Sequence, residues 1–309
     1  MSKLAYSLTD LIGDTPMLIP KRYMQSESIH AQLMLKLEPF NPLGSVKDRV
    51  ALAMIEDAEQ RGLLQEGGTI IEATSGSAGI SLAFVGAARG YRVIITMPDT
   101  VAAERRNLLK ALGAEVVVTP GLQGMKGSTE KAGELAQTIP SAYLPEQFTN
   151  NANPDVHRRT TAQEILDVTG GKVDIFVAGV GTGGTLTGIG EVLKEHNPSI
   201  RIIAVEPATS PVLSGGPRGS HKLQGIGAGF KPPVLNTSLY DDVFRVRDDE
   251  AFDACRRIAH QEGLLLGVSS GAALHAATQI GKRAENKDKT VVAIMPDTGE
   301  RYLSSNLFD

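Results

Sequence analysis

Short apolar runs rich in β-branched residues alternate along this chain with amphipathic, helix-like stretches. The strand-like runs are TIIEAT (69–74), YRVIITM (91–97), EVVVT (115–119), VDIFVAGV (173–180), IRIIAVE (200–206) and TVVAIMP (290–296). Such alternation predicts βαβ units and parallel sheets. Because several runs are apolar almost throughout, we expect helices to cover both faces of the sheets. The sequence therefore predicts an α/β protein.

The length of 309 residues favours two doubly wound α/β lobes with mainly parallel sheets. Residues 140–154 are rich in Pro and Asn between two helical patterns, so we place the lobe boundary near residue 150. The predicted lobes are 1–150 and 151–309, and it stays open whether about the first 40 residues cross to the other lobe. The irregular, Gly- and Pro-rich stretch from Ser210 to Pro233 predicts a functional loop over a cleft.

Charge and cysteine content exclude several classes of protein. The net charge is −4, and no stretch concentrates basic residues with aromatic residues between them, so no nucleic-acid partner is expected. Cys255 is the single cysteine, which fits a reducing cytoplasm and excludes a thiolate metal cage. The six histidines form no metal-binding motif, so no metal site is predicted. Without an export signal or an unbroken apolar span, we expect a cytoplasmic protein with no membrane partner.

The segment GSVKDR, residues 44–49, places a lysine at the start of a predicted helix. Ser45 followed three residues later by Asp48 is the pattern of a capping box, which puts Lys47 in the first helical turn. The helix dipole and desolvation both disfavour an ammonium there, so a neutral, nucleophilic Lys47 is one interpretation. A solvated surface lysine is the alternative.

Three turns rich in Gly and Ser or Thr each open a predicted helix, and we interpret all three as βα junctions at the carboxyl ends of strands. They are TSGSAG (74–79), GVGTGGT (179–185) and GVSSGAA (267–273). Backbone N–H groups at such junctions can bind a carboxylate or a phosphate. Each turn alone could be a βα connection without a ligand. Three of them would ring one crevice at the carboxyl ends of the strands, where doubly wound sheets bind ligands.

The GVGTGGT turn also satisfies the G-x-G-x-x-G pattern of dinucleotide-binding proteins. Glu206 follows Gly184 by 22 residues, where a ribose-binding carboxylate is expected. The threonines of the turn suit a terminal phosphate monoester better than a pyrophosphate. The motif alone leaves an NAD-dependent oxidoreductase open. A Ser-His-Asp hydrolase is unsupported, because no G-x-S-x-G elbow is followed by its partners.

Taken together, the motifs resemble those of the cysteine synthases of the O-acetylserine sulfhydrylase A type. The resemblance runs in order from about Leu11 to the carboxyl end. It rests on Asn41-Pro42, GSVKDR, RGLLQEGG (61–68), TSGxxG, MPDTVAAERRNLLKALGAEVVVT (97–119), QGMKGS (123–128), QFTNNANP (147–154), GVGTGGTLTG (179–188), VEP (205–207), HKLQGIGAGF (221–230), GVSSGAA and GERYLSS (299–305). It implies the tryptophan-synthase-β-like fold type II of pyridoxal 5'-phosphate (PLP) enzymes, and a homodimer.

The resemblance implies a role for each matching residue. Lys47 is implied as the catalytic lysine that forms the Schiff base with PLP, Ser77 as a cofactor contact, and Ser269 as the hydroxyl facing the pyridine nitrogen. The implied cup for the cofactor phosphate consists of Gly181, Thr182, Gly183, Gly184 and Thr185. The implied substrate-binding residues are Thr74, Ser75, Gly76, Ala78, Gln147 and, at the mouth of the cleft, Gly225.

The implied activity is that of a transferase in cysteine biosynthesis. By β-replacement through an aminoacrylate, O-acetyl-L-serine and sulfide would give L-cysteine, with Lys47 moving the α-proton. A neutral Ser269 hydroxyl at the pyridine nitrogen would favour β-replacement over transamination. The family also implies a partner, the carboxyl-terminal peptide of serine acetyltransferase.

The loop TSGSAG departs from the usual TSGNTG of the family. Ser77 replaces an Asn that contacts cofactor and substrate, and Ala78 replaces a Thr that binds the carboxylate. Losing one hydrogen bond to a charged group weakens binding by about 1.5–3 kcal/mol. Cystathionine or cyanoalanine synthesis and sulfide release from cysteine by β-elimination therefore stay open as activities. A catalytically weakened protein that binds serine acetyltransferase is a further alternative.

Overall fold

The computed structural model describes residues 4–308, which form two compact units. The first unit holds the residues up to Ile12 and Asn41–Ala152. The second unit holds Gly13–Phe40 and the residues from Asn153 onward. The chain thus enters the second unit, leaves it and returns.

The first unit is built on a four-stranded parallel sheet with the order β5-β4-β3-β6. Its strands are β3 (Thr69–Ala73), β4 (Arg92–Pro98), β5 (Glu115–Thr119) and the short β6 (Ala142–Tyr143). Its helices are α2 (Lys47–Gln60), α3 (Ser77–Arg89), α4 (Ala103–Ala111) and α5 (Gly124–Thr138). Each of α3, α4 and α5 follows a strand, so the unit is a succession of βα steps.

The second unit contains a six-stranded sheet with the order β1-β2-β10-β7-β8-β9. Its strands are β1 (Met17–Leu18), β2 (Gln32–Leu37), β7 (Ile175–Gly179), β8 (Arg201–Pro207), β9 (Asp242–Val246) and β10 (Thr290–Met295). Only β1, at one edge, runs antiparallel to its neighbour. Its helices are α1 (Lys21–Ser26), α6 (Ala152–Val156, entered from the first unit), a π-helical turn (His157–Thr161), α7 (Ala162–Thr169), α8 (Gly184–His196), α9 (Asp248–Glu262) and α10 (Val268–Gly281).

All six strands expected from the apolar runs are present, and the prediction of an α/β protein with mainly parallel sheets is confirmed. The apolar runs do not predict β2, because Gln32 and Lys36 interrupt its pattern. Lys36 is nevertheless fully buried, and its ammonium pairs with the Glu164 carboxylate at 2.6 Å. The lysine that breaks the apolar pattern is buried with its charge paired, so β2 could not be predicted from apolar runs although its backbone pairs with β10.

The stretch from Ser210 to Pro233 contains neither helix nor strand, as expected for an irregular loop. Within residues 4–308, none of the helices combines the length and the apolar character needed to cross a membrane.

Candidate active site

Lys47 is the first residue of α2, in the first unit. Its backbone N–H donates to the Ser45 hydroxyl oxygen at 3.1 Å, and the residue is half-buried. The helix therefore begins where the sequence predicts, and the lysine stands at the positive end of the helix dipole.

Asp48 corrects the predicted capping box. In a capping box its carboxylate would accept from the backbone at the start of the same helix. Instead, Oδ2 accepts the Leu43 backbone N–H at 2.7 Å, and Oδ1 accepts the Ser81 hydroxyl at 2.6 Å. The carboxylate is fully buried and joins the turn that precedes Lys47 to α3. Asp48 is thus a brace between two motifs that are far apart in the sequence.

The loop Thr74–Gly76 leads from β3 into α3, which begins at Ser77. The Thr74 hydroxyl oxygen accepts the Gly76 N–H at 3.1 Å, and the Ser75 carbonyl accepts a hydrogen bond from the Arg105 guanidinium. The N-cap residue of α3 is Gly76, which has no side chain with which to cap the helix. The backbone N–H groups of its first turn therefore lack intrahelical acceptors and suit an anion such as a carboxylate.

Ser77 and Ala78 occupy the first turn of α3. Ser77 is half-buried and Ala78 is buried. The Ala78 side chain offers no hydrogen-bonding atom. At this position the turn therefore offers backbone N–H donors in place of a side-chain hydroxyl.

Gln147 is buried beside Glu72, the fourth residue of β3. The Gln147 side-chain amide donates to Glu72 Oε1 at 3.3 Å. Burial raises the pKa of the Glu72 carboxyl to about 7, against hydrogen bonds that lower it. Glu72 escaped the sequence analysis because a lone acid in an apolar strand gives no sign of its partner.

The glycines of the loop 181–184 are required by their surroundings. A Cβ atom on Gly181 would lie 2.1 Å from the Gly225 carbonyl oxygen, and one on Gly184 would lie 2.0 Å from Asn153 Oδ1. Gly183 has a φ of +88°, a conformation that favours glycine. The loop ends at the amino end of α8, where the first-turn N–H groups suit a phosphate.

Both threonines of this loop are held by side chains that the sequence analysis missed. The Asn153 side-chain amide donates to Thr182 Oγ1 at 2.9 Å. A hydrogen bond of 3.2 Å joins His157 Nε2 to Thr185 Oγ1, and His157 Nδ1 contacts Thr161 Oγ1 at 2.9 Å. His157 lies in the π-helical turn, a feature often found at functional sites but not readable from hydrophobic periodicity.

The GVSSGAA turn opens α10, as predicted, but it follows α9 and an isolated bridge at Leu266, so the predicted strand before it is wrong. Ser269, near the start of α10, lies beside Gly225 in the second unit. It is buried, and its hydroxyl has no hydrogen-bond partner among the residues that the structure describes. The neighbouring Ser270 hydroxyl is used by the Asp297 backbone, at 3.3 Å from both its N and its O. Ser269 is therefore the hydroxyl of this pair that can serve a ligand.

Glu206 does not act as the ribose-binding acid that the NAD alternative requires. It is buried, and its carboxylate accepts the backbone N–H groups of Leu213 at 2.7 Å and Ser214 at 3.1 Å. It also accepts the Ser214 hydroxyl at 2.5 Å. Both carboxylate oxygens thus fasten the loop that follows β8.

The donor set fits PLP. The amino end of α8 and two braced threonine hydroxyls suit its phosphate, a buried neutral hydroxyl suits its pyridine nitrogen, and Lys47 provides an amine for its aldehyde. The family model described as pyridoxal-phosphate dependent enzyme matches residues 8–297. The chain belongs to this family.

The chain is similar over nearly its full length to proteins named as cysteine synthases and to a hydrogen sulfide-producing enzyme. A probable cysteine synthase of Bacillus subtilis (strain 168) is 55% identical over 311 residues, covering 100% of this chain and 99% of that protein. A crystal structure of cysteine synthase from Entamoeba histolytica has a TM-score of 0.96 at 40% identity, covering 99% of this chain and 91% of that one. A hydrogen sulfide-producing enzyme from Fusobacterium nucleatum has a TM-score of 0.92 at 43% identity, covering 98% and 99%. These similarities confirm the fold type II architecture and the requirement for PLP.

Proposed function

We propose that this chain forms L-cysteine from O-acetyl-L-serine and sulfide by PLP-dependent β-replacement. The observation that carries the proposal is the hydroxyl of Ser269, which is buried and has no hydrogen-bond partner within residues 4–308. A neutral hydroxyl leaves the pyridine nitrogen unprotonated, whereas a carboxylate there would favour the deeper electron withdrawal used in transamination. The relatives named as cysteine synthases support the same choice of reaction.

Each end of PLP has its proposed holder in this chain. Lys47 would hold the aldehyde carbon, and Ser77 would contact the cofactor from the start of α3. The loop Gly181–Thr185 would hold the phosphate through backbone N–H groups and the two threonine hydroxyls. Ser269 would donate to the pyridine nitrogen.

The substrate carboxylate has its proposed binding site in the first unit. The loop Thr74–Gly76 and the N–H groups at the start of α3, beginning with Ser77 and Ala78, would hold it. The Gln147 amide would assist from the segment that follows β6. Gly225 would line the mouth of the cleft.

The chemistry follows from these positions. When bound, PLP supplies the sink for the electron pair left on the substrate Cα atom after proton removal. Lys47 acts as the general base that takes this proton and returns it at the end of the reaction. Acetate leaves from the Cβ atom, and sulfide forms the new C–S bond there, so that O-acetylserine and hydrosulfide give cysteine and acetate.

A second candidate activity is β-elimination or β-replacement with another donor or nucleophile. The observation that favours it is the short side chains of Ser77 and Ala78, at the turn assigned to the substrate carboxylate. The Fusobacterium nucleatum relative is a hydrogen sulfide-producing enzyme, and release of sulfide from cysteine by this chain would be an activity of that kind. The candidate products are cystathionine, cyanoalanine, or sulfide released from cysteine.

We further propose a cytoplasmic homodimer that accepts the carboxyl-terminal peptide of serine acetyltransferase at its active site. The buried, unpaired Cys255 suits a reducing compartment. The family resemblance supports the dimer and the peptide, and size-exclusion chromatography with and without the peptide tests both.

Product analysis tests the activity. The purified protein, loaded with PLP, is incubated with serine, O-acetylserine, O-phosphoserine or cysteine, each with sulfide, homocysteine or cyanide. We expect cysteine from O-acetylserine and sulfide to form faster than any other product. Faster formation of cystathionine, cyanoalanine or free sulfide would replace this proposal with the second candidate.

A further inference from the structure

Glu72 is a buried acid at the carboxyl end of β3, two residues before the loop Thr74–Gly76. Its Oε2 atom accepts the Glu146 backbone N–H at 3.1 Å, and its Oε1 atom accepts the Gln147 side-chain amide at 3.3 Å. The Gln147 backbone N–H also lowers the pKa of the Glu72 carboxyl. The polar groups that contact this carboxylate are thus N–H donors, all from one short segment.

This arrangement calls for an acceptor without a hydrogen of its own. A carboxylate meets that requirement, whereas a protonated acid or a glutamine would turn a donor toward other donors. Within residues 4–308 no lysine or arginine forms an ion pair with Glu72, so burying its charge is costly. The Glu72 side chain makes no hydrogen bond within the sheet, so the free-energy cost of burying its carboxylate indicates a role in the site.

The segment that Glu72 holds is a tight turn. Glu146 has a φ of +51°, a left-handed conformation that is unfavourable for a non-glycine residue. Its carbonyl accepts the backbone N–H groups of Thr149 at 2.9 Å and Asn150 at 3.0 Å. Glu72 accepts the backbone N–H of the same residue, so both the N–H and the carbonyl of Glu146 are held by hydrogen bonds.

We propose that Glu72 is a positioning residue that fixes the Gln147 side-chain amide for binding the substrate carboxylate. The inference rests on the proposed function, in which Gln147 contacts that carboxylate. One N–H of the Gln147 side-chain amide donates to Glu72, and this hydrogen bond fixes the direction of the second N–H of the same amide. A freely rotating Gln147 would have to be ordered by each substrate that binds, which weakens binding.

Two other titratable groups face Glu72. The exposed Glu146 carboxylate raises the pKa of Glu72 by charge repulsion, and Glu72 in turn raises the pKa of the Tyr143 phenol. Tyr143 stays protonated below its pKa of about 12, so it does not titrate near neutrality. A pH effect near 7 at this turn therefore belongs to Glu72.

The kinetic test compares Glu72→Gln with Glu146→Gln, the same isosteric change on an exposed neighbour. For Glu72→Gln we expect KM for O-acetylserine to rise about tenfold, with kcat changed less than about twofold and the PLP absorbance unchanged. Both variants are measured at pH 8.5, above the pKa of Glu72, where loss of the Glu146 charge leaves Glu72 ionised and Glu146→Gln should leave all three values unchanged. An unaltered KM in Glu72→Gln, in a protein whose wild type turns over O-acetylserine, would overturn this inference alone. A wild type that does not turn over O-acetylserine overturns the proposed function.

A second measurement does not depend on turnover or on any substitution of Glu72. The wild type is labelled with ¹⁵N-glutamine, and the Gln147 side-chain amide, assigned through Gln147→Ala, is followed from about pH 5.5 to 8.5. We expect its resonances to move with a midpoint near 7 as Glu72 gains its proton. The Glu72 carboxyl resonance is followed in the same titration by ¹³C-glutamate labelling, and Gln147 amide resonances that stay constant while this carboxyl titrates would overturn the inference.

Discussion

The two turns that we propose to bind anions are built in different ways: the phosphate loop, residues 181–184, and the substrate loop, Thr74–Gly76. At the phosphate loop, the Cβ positions of Gly181 and Gly184 lie about 2 Å from neighbouring oxygen atoms, so glycine is required by packing. At the substrate loop, a Cβ atom on Gly76 would meet nothing closer than 3.8 Å. The phosphate loop is fixed by what surrounds it at every residue, whereas the substrate loop has room to vary.

The difference teaches where this enzyme can change. The phosphate of PLP is the same for every reaction, so its loop gains from a single rigid conformation. The substrate loop is held by braces at its back, Asp48 to Ser81 and Arg105 to Ser75, while the side chains of Ser77 and Ala78 are short. We infer that donor preference is set in the first unit and cofactor retention in the second.

The largest effect is expected for Lys47→Ala, which removes the proposed general base and covalent anchor and leaves both turns in place. Turnover should fall by about 10³-fold or more, because the general base and the covalent anchor are lost together. The phosphate loop is untouched, so PLP should still bind without a covalent link. Steady-state cysteine formation and dialysis measure the two quantities. Activity within tenfold of wild type would assign the base to another residue.

A pair of glycine substitutions tests the comparison itself. Gly181→Ala should weaken PLP binding by about 100-fold, because the new methyl group collides with the Gly225 carbonyl. Gly76→Ala should retain PLP with wild-type affinity. Gly133→Ala in α5, where a Cβ atom meets nothing within 4 Å, is the matched control for the loss of a glycine. Equal PLP affinity in Gly181→Ala and Gly76→Ala would remove the distinction between the two turns.

A smaller effect is expected when Ser77→Asn and Ala78→Thr are combined, which restores the usual family loop. KM for O-acetylserine should fall about tenfold with little change in kcat, since the restored contacts act on ground and transition states alike. Both single variants are needed, because adjacent substitutions are not additive. If the double variant loses activity with O-acetylserine, or with a donor that the wild type prefers, these residues are adaptations to another substrate.

The features readable from the sequence are the local ones. The six apolar strands, the glycine turns and the start of α2 at Lys47 each depend on residues next to one another in the chain. The requirement for glycine at positions 181 and 184 is also visible in the sequence, as part of the motif GVGTGGT.

The features missed by the sequence analysis join distant residues. Asp48 suggested a local cap, but its carboxylate reaches Ser81. His157 contacts Thr185 through a π-helical turn, and Glu72 contacts Gln147 across 75 positions. Hydrophobic periodicity predicts which face of a helix or strand is buried, but not which polar side chain it contacts there. Polar braces of this kind therefore need coordinates.

The most direct test of the account is borohydride reduction of the purified protein followed by peptide mapping. We predict a yellow protein whose visible absorbance changes on reduction, with one pyridoxyl group fixed to Lys47 at the start of α2. A colourless protein that retains nicotinamide, or a pyridoxyl group on a different lysine, would contradict the assignment.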